Sequence, residues 1–275
     1  MKYKSVLSGV LLILILIIIS CAQQTPVIND NDNLIRNADM IKEGNFNKLE
    51  IDTFDVDYGT ATGYLAQPKV PGIYPGIVMI HEWIGLNDYV KEMARQLAAE
   101  GYVVLAVDLY EGKVAKNTTE ARELSTKVRN NIPAAVSNMK TAVNYLKELD
   151  NVDDSKIASM GWCFGGGMSL QLSLNEKLAA TIIYYGNMET NKTRLSVIKW
   201  PVLGIFGEAD TSIPVASVKE FDAALDELEI ENEIYIYPNV GHAFANPSGM
   251  NYAAQETKDA WKKTVEFLDR NLKNK

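Results

Sequence analysis

From residue 48 onward, short apolar runs alternate with amphipathic stretches. The runs "GIVMI" (76–80), "YVVLAVDLY" (102–110), "KIASMGW" (156–162), "LAATIIYYG" (178–186), "PVLGIFG" (201–207) and "NEIYIYP" (232–238) are short, apolar and rich in β-branched and aromatic residues. They read as buried strands. Between them, "DYVKEMARQLAAEG", "TTEARELSTKVRNN", "PAAVSNMKTAVNYLKEL", "VASVKEFDAALDELE" and "YAAQETKDAWKKTVEFLDRNLK" repeat apolar residues at helical spacing, and "GGGMSLQLSL" opens another helix. Pro133 suits a first helical turn. "LEIDTFDV" and "ATGYLAQP" form an antiparallel hairpin ahead of these units, with its turn near Tyr58 and Gly59. Strands alternating with helices predict a single α/β domain over 48–275, a mainly parallel sheet covered on both faces. In such sheets ligands meet the carboxyl ends of the strands, so the residues after each strand are the ones to examine.

The pattern before residue 48 is different. "MKYK" is a short basic start, and "VLLILILIII" (10–19) is an unbroken apolar run. This is a signal or anchor, not part of the fold. Ile18, Ile19, Ser20 and Cys21 resemble a bacterial lipobox, which implies a signal peptide over 1–20, cleavage before Cys21 and lipid on its sulfur. The alternative is an uncleaved apolar helix. Residues 22–47 are polar, with "NDNDN", and read as a tether with a short helix near 34–41. The expectation is an exported, membrane-anchored lipoprotein of the bacterial envelope. Ala22 at the position after Cys21 implies, in a Gram-negative cell, the outer membrane.

Charge and cysteine count narrow the chemistry. A formal charge of −8 with no basic run beyond the first residues argues against nucleic acid as partner. The chain has two cysteines. With Cys21 lipidated, Cys163 is left without a disulfide partner and no zinc site can be built.

Four strand ends carry reactive groups. Cys163 lies in "GWCFG" between a strand and a helix, the spacing of a nucleophile elbow with Cys for Ser. A helix that starts there favours a thiolate, and the Phe164 N–H is one oxyanion donor. Trp83, in the loop after "GIVMI", is placed for the second. The bland alternative for Cys163 is a small packing residue. Asp210 and His242 follow it, each after its own strand, in the nucleophile–acid–histidine order of α/β hydrolases. His242 can take a proton while Asp210 fixes its tautomer. Asp210 also suits an N-cap or Asx turn, and Glu208 is the fallback acid. Glu82 follows the first buried strand and is expected to face Cys163. Its alternative is a solvated loop acid, and that of His81 a buried structural residue.

These stretches resemble the dienelactone hydrolase family. "GIVMIHEWIGLN", "GYVVLAVDLYEGK", "ASMGWCFGGG", "GIFGEADTSIP" and "YPNVGHAFAN" span 76–246 in the family's order. The resemblance implies an α/β-hydrolase fold and cleavage of small esters or lactones through a thioester on Cys163. It implies His242 and Asp210 as partners, Glu82 interacting with the thiol to gate it, Trp83 and Phe164 N–H groups as the oxyanion hole, and no metal or organic cofactor. Where the family binds a substrate carboxylate with arginines, this chain has "DLYEGK", with Lys113, and "GHAFAN", with Asn246. Tyr110, Lys113 and Asn246 are the candidate substrate contacts. The missing guanidinium groups and the nearby aromatics point to a neutral or apolar acyl group. A monomer is expected. Two rival readings are a catalytically silent binding protein of the same fold, and a thioesterase or acyl transferase using the same cysteine.

Overall fold

The computed structural model describes residues 48–273 of the 275-residue chain. The signal peptide, lipidated Cys21, tether and short helix expected before residue 48 lie outside the described residues.

The alternating runs build an eight-stranded sheet. Its strands are β1 (Ile51–Tyr58), β2 (Ala61–Pro68), β3 (Tyr74–Ile80), β4 (Val103–Val107), β5 (Val152–Trp162), β6 (Ala180–Tyr184), β7 (Val202–Gly207) and β8 (Asn232–Tyr237). Their order across the sheet is β1-β2-β4-β3-β5-β6-β7-β8. β1 and β2 form the expected antiparallel hairpin, and β2 meets β4 antiparallel. Every pairing from β4 onward is parallel. This is the α/β-hydrolase architecture. The helices are α1 (Asp88–Ala99), α2 (Thr118–Arg129), α3 (Ile132–Lys147), α4 (Phe164–Ser173), α5 (Lys192–Leu195), α6 (Val215–Glu227) and α7 (Ala254–Leu268), which runs into a π turn over Asp269–Lys273. They cover both faces, so β3, β4, β6 and β7 are buried almost throughout. Such strands have no solvent face and read as continuous apolar runs rather than as alternation.

Local chemistry ends the elements. Asn87, Asn117, Asn131 and Asn191 each cap a helix by accepting from a backbone N–H of its first turn. The strand expected over 102–110 stops at Val107. There Asp108 accepts hydrogen bonds from the backbone N–H groups of Tyr110 (2.7 Å) and Gly112, which curls the chain away from the sheet. The strand expected over 178–186 stops at Tyr184, because Tyr185 turns to a positive φ of 35°. The four-residue helix α5 has no apolar period long enough to be legible in the sequence.

β3 lies between β4 and β5, so the direction of winding reverses around it. That switch point puts the carboxyl ends of β3 and β5 side by side, and with them Glu82 and Cys163.

Candidate active site

Cys163 is the single residue between β5 and α4, and its backbone sits at φ 52°, ψ −115°. A non-glycine residue there is strained, and strain of this kind collects at functional turns. Two glycines permit the turn. A Cβ on Gly161 would collide with the carbonyl of Gly165, and one on Gly165 with the carbonyls of Ile80 and His81. The elbow spacing therefore answers to backbone crowding on both sides of the cysteine. Cys163 is anchored by its N–H to the Tyr184 carbonyl (2.9 Å) and remains partly exposed.

The sulfur faces His242, with Nε2···Sγ at 3.0 Å. The other ring nitrogen, Nδ1, lies 2.7 Å from Asp210 Oδ2. Asp210 is buried, and its second oxygen accepts from the N–H groups of Ser212 (2.8 Å) and Ile213 (2.9 Å). The turn role and the histidine role thus coexist on one carboxylate, one per oxygen. Glu208 is exposed and accepts instead from the Asn239 N–H at 3.2 Å. Burial works against charge on Asp210 and on His242. Even so, the hydrogen bonds from His242, Ile213 and Ser212 hold the Asp210 carboxyl below its usual range. The Asp210 carboxylate and the Cys163 sulfur outweigh burial at His242 and push it up to about 10.

Glu82 is also buried, at 3% exposure. It makes no hydrogen bond with Cys163 among the described residues. Its Oε2 accepts from Asn246 Nδ2 instead. Burial raises its pKa to about 7 from an ordinary 4.5, against the opposing pull of His242, Asn246 and Tyr185. The folded protein therefore holds a proton here that the unfolded chain has released, across roughly pH 4.5 to 7. Stability falls as pH rises through that window and stays lost above it. Glu82→Gln cannot ionise and keeps a carbonyl for Asn246. It is expected to be more stable than the parent above pH 7, on the order of 2–3 kcal/mol, with the gain vanishing below about pH 4.5. Urea unfolding of both proteins at pH 5 and pH 8 checks this; an equal difference at both pH values would contradict it.

The remaining predicted positions separate. Phe164 opens α4, so its N–H has no acceptor within the helix. Trp83 is half-buried against the cluster of Ile84, Ala115 and Ala121. Its carbonyl accepts from the Tyr110 hydroxyl at 3.1 Å, which fixes the loop that carries its N–H. His81 is fully buried and neutral: burial lowers its pKa, Nδ1 donates to the Glu82 carbonyl (2.6 Å), and Nε2 accepts from the Leu109 N–H (3.2 Å). Of the three candidate substrate contacts, Tyr110 packs its ring against Phe164, the residue after Cys163, at 5.7 Å between centroids. Tyr110 is buried at 3% exposure. Tyr110 and Lys113 line a separate cleft of about 830 Å³ between the Asp108 turn and α3, a cleft that none of Cys163, Asp210, His242 and Glu82 lines. Asn246 faces inward, with Oδ1 accepting from Ser248 N–H (2.9 Å) and Oγ (2.7 Å) and Nδ2 on Glu82.

Sequence reasoning missed two neighbours of the site. Tyr185 lies beneath His242, its ring edge-on to the imidazole at 5.3 Å. The Arg129 guanidinium stacks over the Phe164 ring at 5.4 Å. Tyr185 sits inside an apolar strand run and Arg129 at the end of an ordinary polar helix, so neither carried a local signal.

A family model, the dienelactone hydrolase family, matches residues 61–272. The chain belongs to the dienelactone hydrolase family. Protein usf of Aquifex pyrophilus is 32% identical over 213 residues, which cover 75% of this chain and 91% of that protein. A Synechocystis protein named "Putative carboxymethylenebutenolidase" is 29% identical over 226 residues, covering 77% of this chain and 92% of its own. A solved structure of a dienelactone hydrolase-like promiscuous phosphotriesterase from metagenomic libraries superposes with a TM-score of 0.73 at 22% identity, over 82% of this chain and 99% of that one. Membership makes this protein a dienelactone hydrolase-like hydrolase for small esters or lactones.

Proposed function

We propose that this dienelactone hydrolase-like protein cleaves its ester or lactone through a thioester on Cys163, with His242 as the proton carrier and Asp210 as its orienting acid. The observation that carries the reading is the hydrogen-bonded line Sγ–Nε2 and Nδ1–Oδ2, at 3.0 and 2.7 Å, on a strained strand-to-helix turn.

The steps follow from that line. Asp210 accepts from Nδ1–H, which leaves Nε2 free to take the Cys163 proton. The thiolate attacks the substrate carbonyl carbon; an S–C bond forms and the carbonyl π pair moves to oxygen. The N–H groups of Phe164 and Trp83 are the donors proposed for that oxyanion. When the intermediate collapses, the leaving alkoxide takes the proton from His242 Nε2, and the acyl group stays on sulfur. His242 then takes a proton from water. The hydroxide adds to the thioester carbonyl, the C–S bond breaks, and the carboxylic acid leaves. A proton held on His242 toward pH 10 fits a resting state in which the imidazolium already faces the sulfur.

The same proposal places the mature protein at a membrane through lipidated Cys21. For the chemistry, the test is acid quenching during turnover of p-nitrophenyl acetate, followed by mass spectrometry of the peptides. One acetyl group is expected on the peptide that contains Cys163, together with a burst of nitrophenol. Turnover with the acetyl group on another residue, or on none, would overturn the thioester route.

A further inference from the structure

Among the described residues, two buried side-chain oxygens lack a hydrogen-bond partner: Glu82 Oε1 and Tyr185 Oη. They are neighbours. The hydroxyl is near enough to favour the ionised form of Glu82, without a completed hydrogen bond. Their chemistry is complementary, since a carboxylate only accepts and a phenol can donate. Leaving both unsatisfied in a dry interior is unfavourable, so a small closure between them is favoured.

Tyr185 is held there by the backbone. Its φ of 35° is strained for a residue with a Cβ. The strain is imposed from both sides. The Tyr185 N–H donates to Ile205 O at 2.7 Å, and the preceding carbonyl accepts from Cys163 N–H at 2.9 Å. Gly186 presses on the backbone of Gly166 and Gly167, where any Cβ would collide. This turn drives the phenol inward under the site. Its ring lies edge-on to His242 (5.3 Å) and to Phe244 (5.7 Å), and it is fully buried.

We propose that Tyr185 is a positioning residue whose hydroxyl donates to Glu82 Oε1 and, with Asn246 on Oε2, holds that carboxylate as a fixed negative neighbour of His242. The proposal rests on the reading of Cys163, His242 and Asp210 as the reacting groups. Four polar or titratable side chains bear on Glu82: His242, Asn246, Tyr185 and Tyr89 from α1. Tyr89 has committed its hydroxyl to the Ala245 carbonyl at 3.0 Å, and Asn246 is already on Oε2. Tyr185 is therefore the donor left for Oε1. Around Tyr185 the charged or titratable neighbours are Glu82, Tyr89, Cys163, Tyr184 and His242, and Tyr184 Oη is engaged with Thr264 Oγ1 at 2.6 Å. When His242 accepts the Cys163 proton, its positive charge has Asp210 at Nδ1 and Glu82 through space. Tyr185 keeps the second of these in place and ionised.

The test is Tyr185→Phe, read by two pH profiles between pH 5 and 10. One is kcat/KM for p-nitrophenyl acetate, and the other is the rate of Cys163 alkylation by iodoacetamide. Loss of the hydroxyl removes a bond to the charged form of Glu82, so the acid limb that Glu82→Gln abolishes should move upward by about half to one pH unit. Rates at pH 9 should stay within about twofold of the parent, and Tyr185→Phe added to Glu82→Gln should change nothing more. A uniform loss at all pH values, or an unmoved limb, overturns the proposal. A protein that alkylates with the shifted limb but turns over no ester would instead overturn the hydrolytic reading. Should Tyr185→Phe fail to fold, Glu82→Gln alone decides, since an alkylation limb that survives it also overturns the proposal.

Discussion

Cys163→Ala should remove turnover of a short chromogenic ester, with kcat lowered by about 10⁴ or more. No other thiol exists in the described domain, and the oxyanion donors proposed at Phe164 and Trp83 would be left with an ester that no group attacks. The fold should survive. The side chain shrinks by one sulfur, the strained backbone at φ 52° is kept by Gly161 and Gly165, and the N–H to Tyr184 O is unaffected. Steady-state kinetics with circular dichroism checks both parts. A folded variant that still turns over ester at a tenth of the parental rate would refute the nucleophile assignment. The same variant has a second readout. The Cys163 sulfur is among the forces that hold the His242 proton, so the His242 NMR titration should move down from about 10 in Cys163→Ala.

Asp210→Asn should be nearly as damaging, about 10³–10⁴ in kcat, for a different reason. The amide can still accept from Ser212 and Ile213 through its oxygen, so the turn survives. Its NH₂ then meets Nδ1 as a donor, which forces the proton on the imidazole to Nε2. A proton there blocks acceptance from Cys163. Burial also no longer has a carboxylate to oppose it, so His242 should titrate well below its parental value. A kcat within tenfold of the parent would assign the orienting role elsewhere, and Glu208, 31 residues from its partner Asn239 in sequence and exposed, is not placed to take it.

How much of this was legible beforehand depends on whether the signal was local. The strands β3 to β7 were legible because burial on both faces leaves an apolar run with no alternation. The elbow was legible because a tight strand-to-helix turn demands glycine at fixed positions around one residue, and "GWCFG" shows it. Asp210 and His242 were legible through their order after successive strands. Strand ends were less so. Asp108 and Tyr185 sit inside apolar runs, and they stop their strands by a side-chain cap and a positive φ respectively, which composition does not reveal. Asn246, a candidate substrate contact, donates to Glu82 while Ser248 two residues later holds its amide oxygen, a pairing that its own stretch of sequence does not announce. Glu82, expected to face Cys163, follows the strand beside β5, and its bond to Asn246 was not legible.

The sequence by itself determined the sheet, the elbow and the identity of the three groups in line, since each is written in a short stretch of chain. Only the tertiary structure decided what surrounds them. Glu82, Asn246 and Tyr185 come from three loops more than 50 residues apart from one another, and nothing in any one loop specifies the others. Their meeting depends on the winding reversal around β3 and on the backbone crowding of Gly186 against α4. A buried carboxylate takes its charge, its hydrogen bonds and its distance from a cysteine from whatever the fold packs against it, and those are properties of the assembled core.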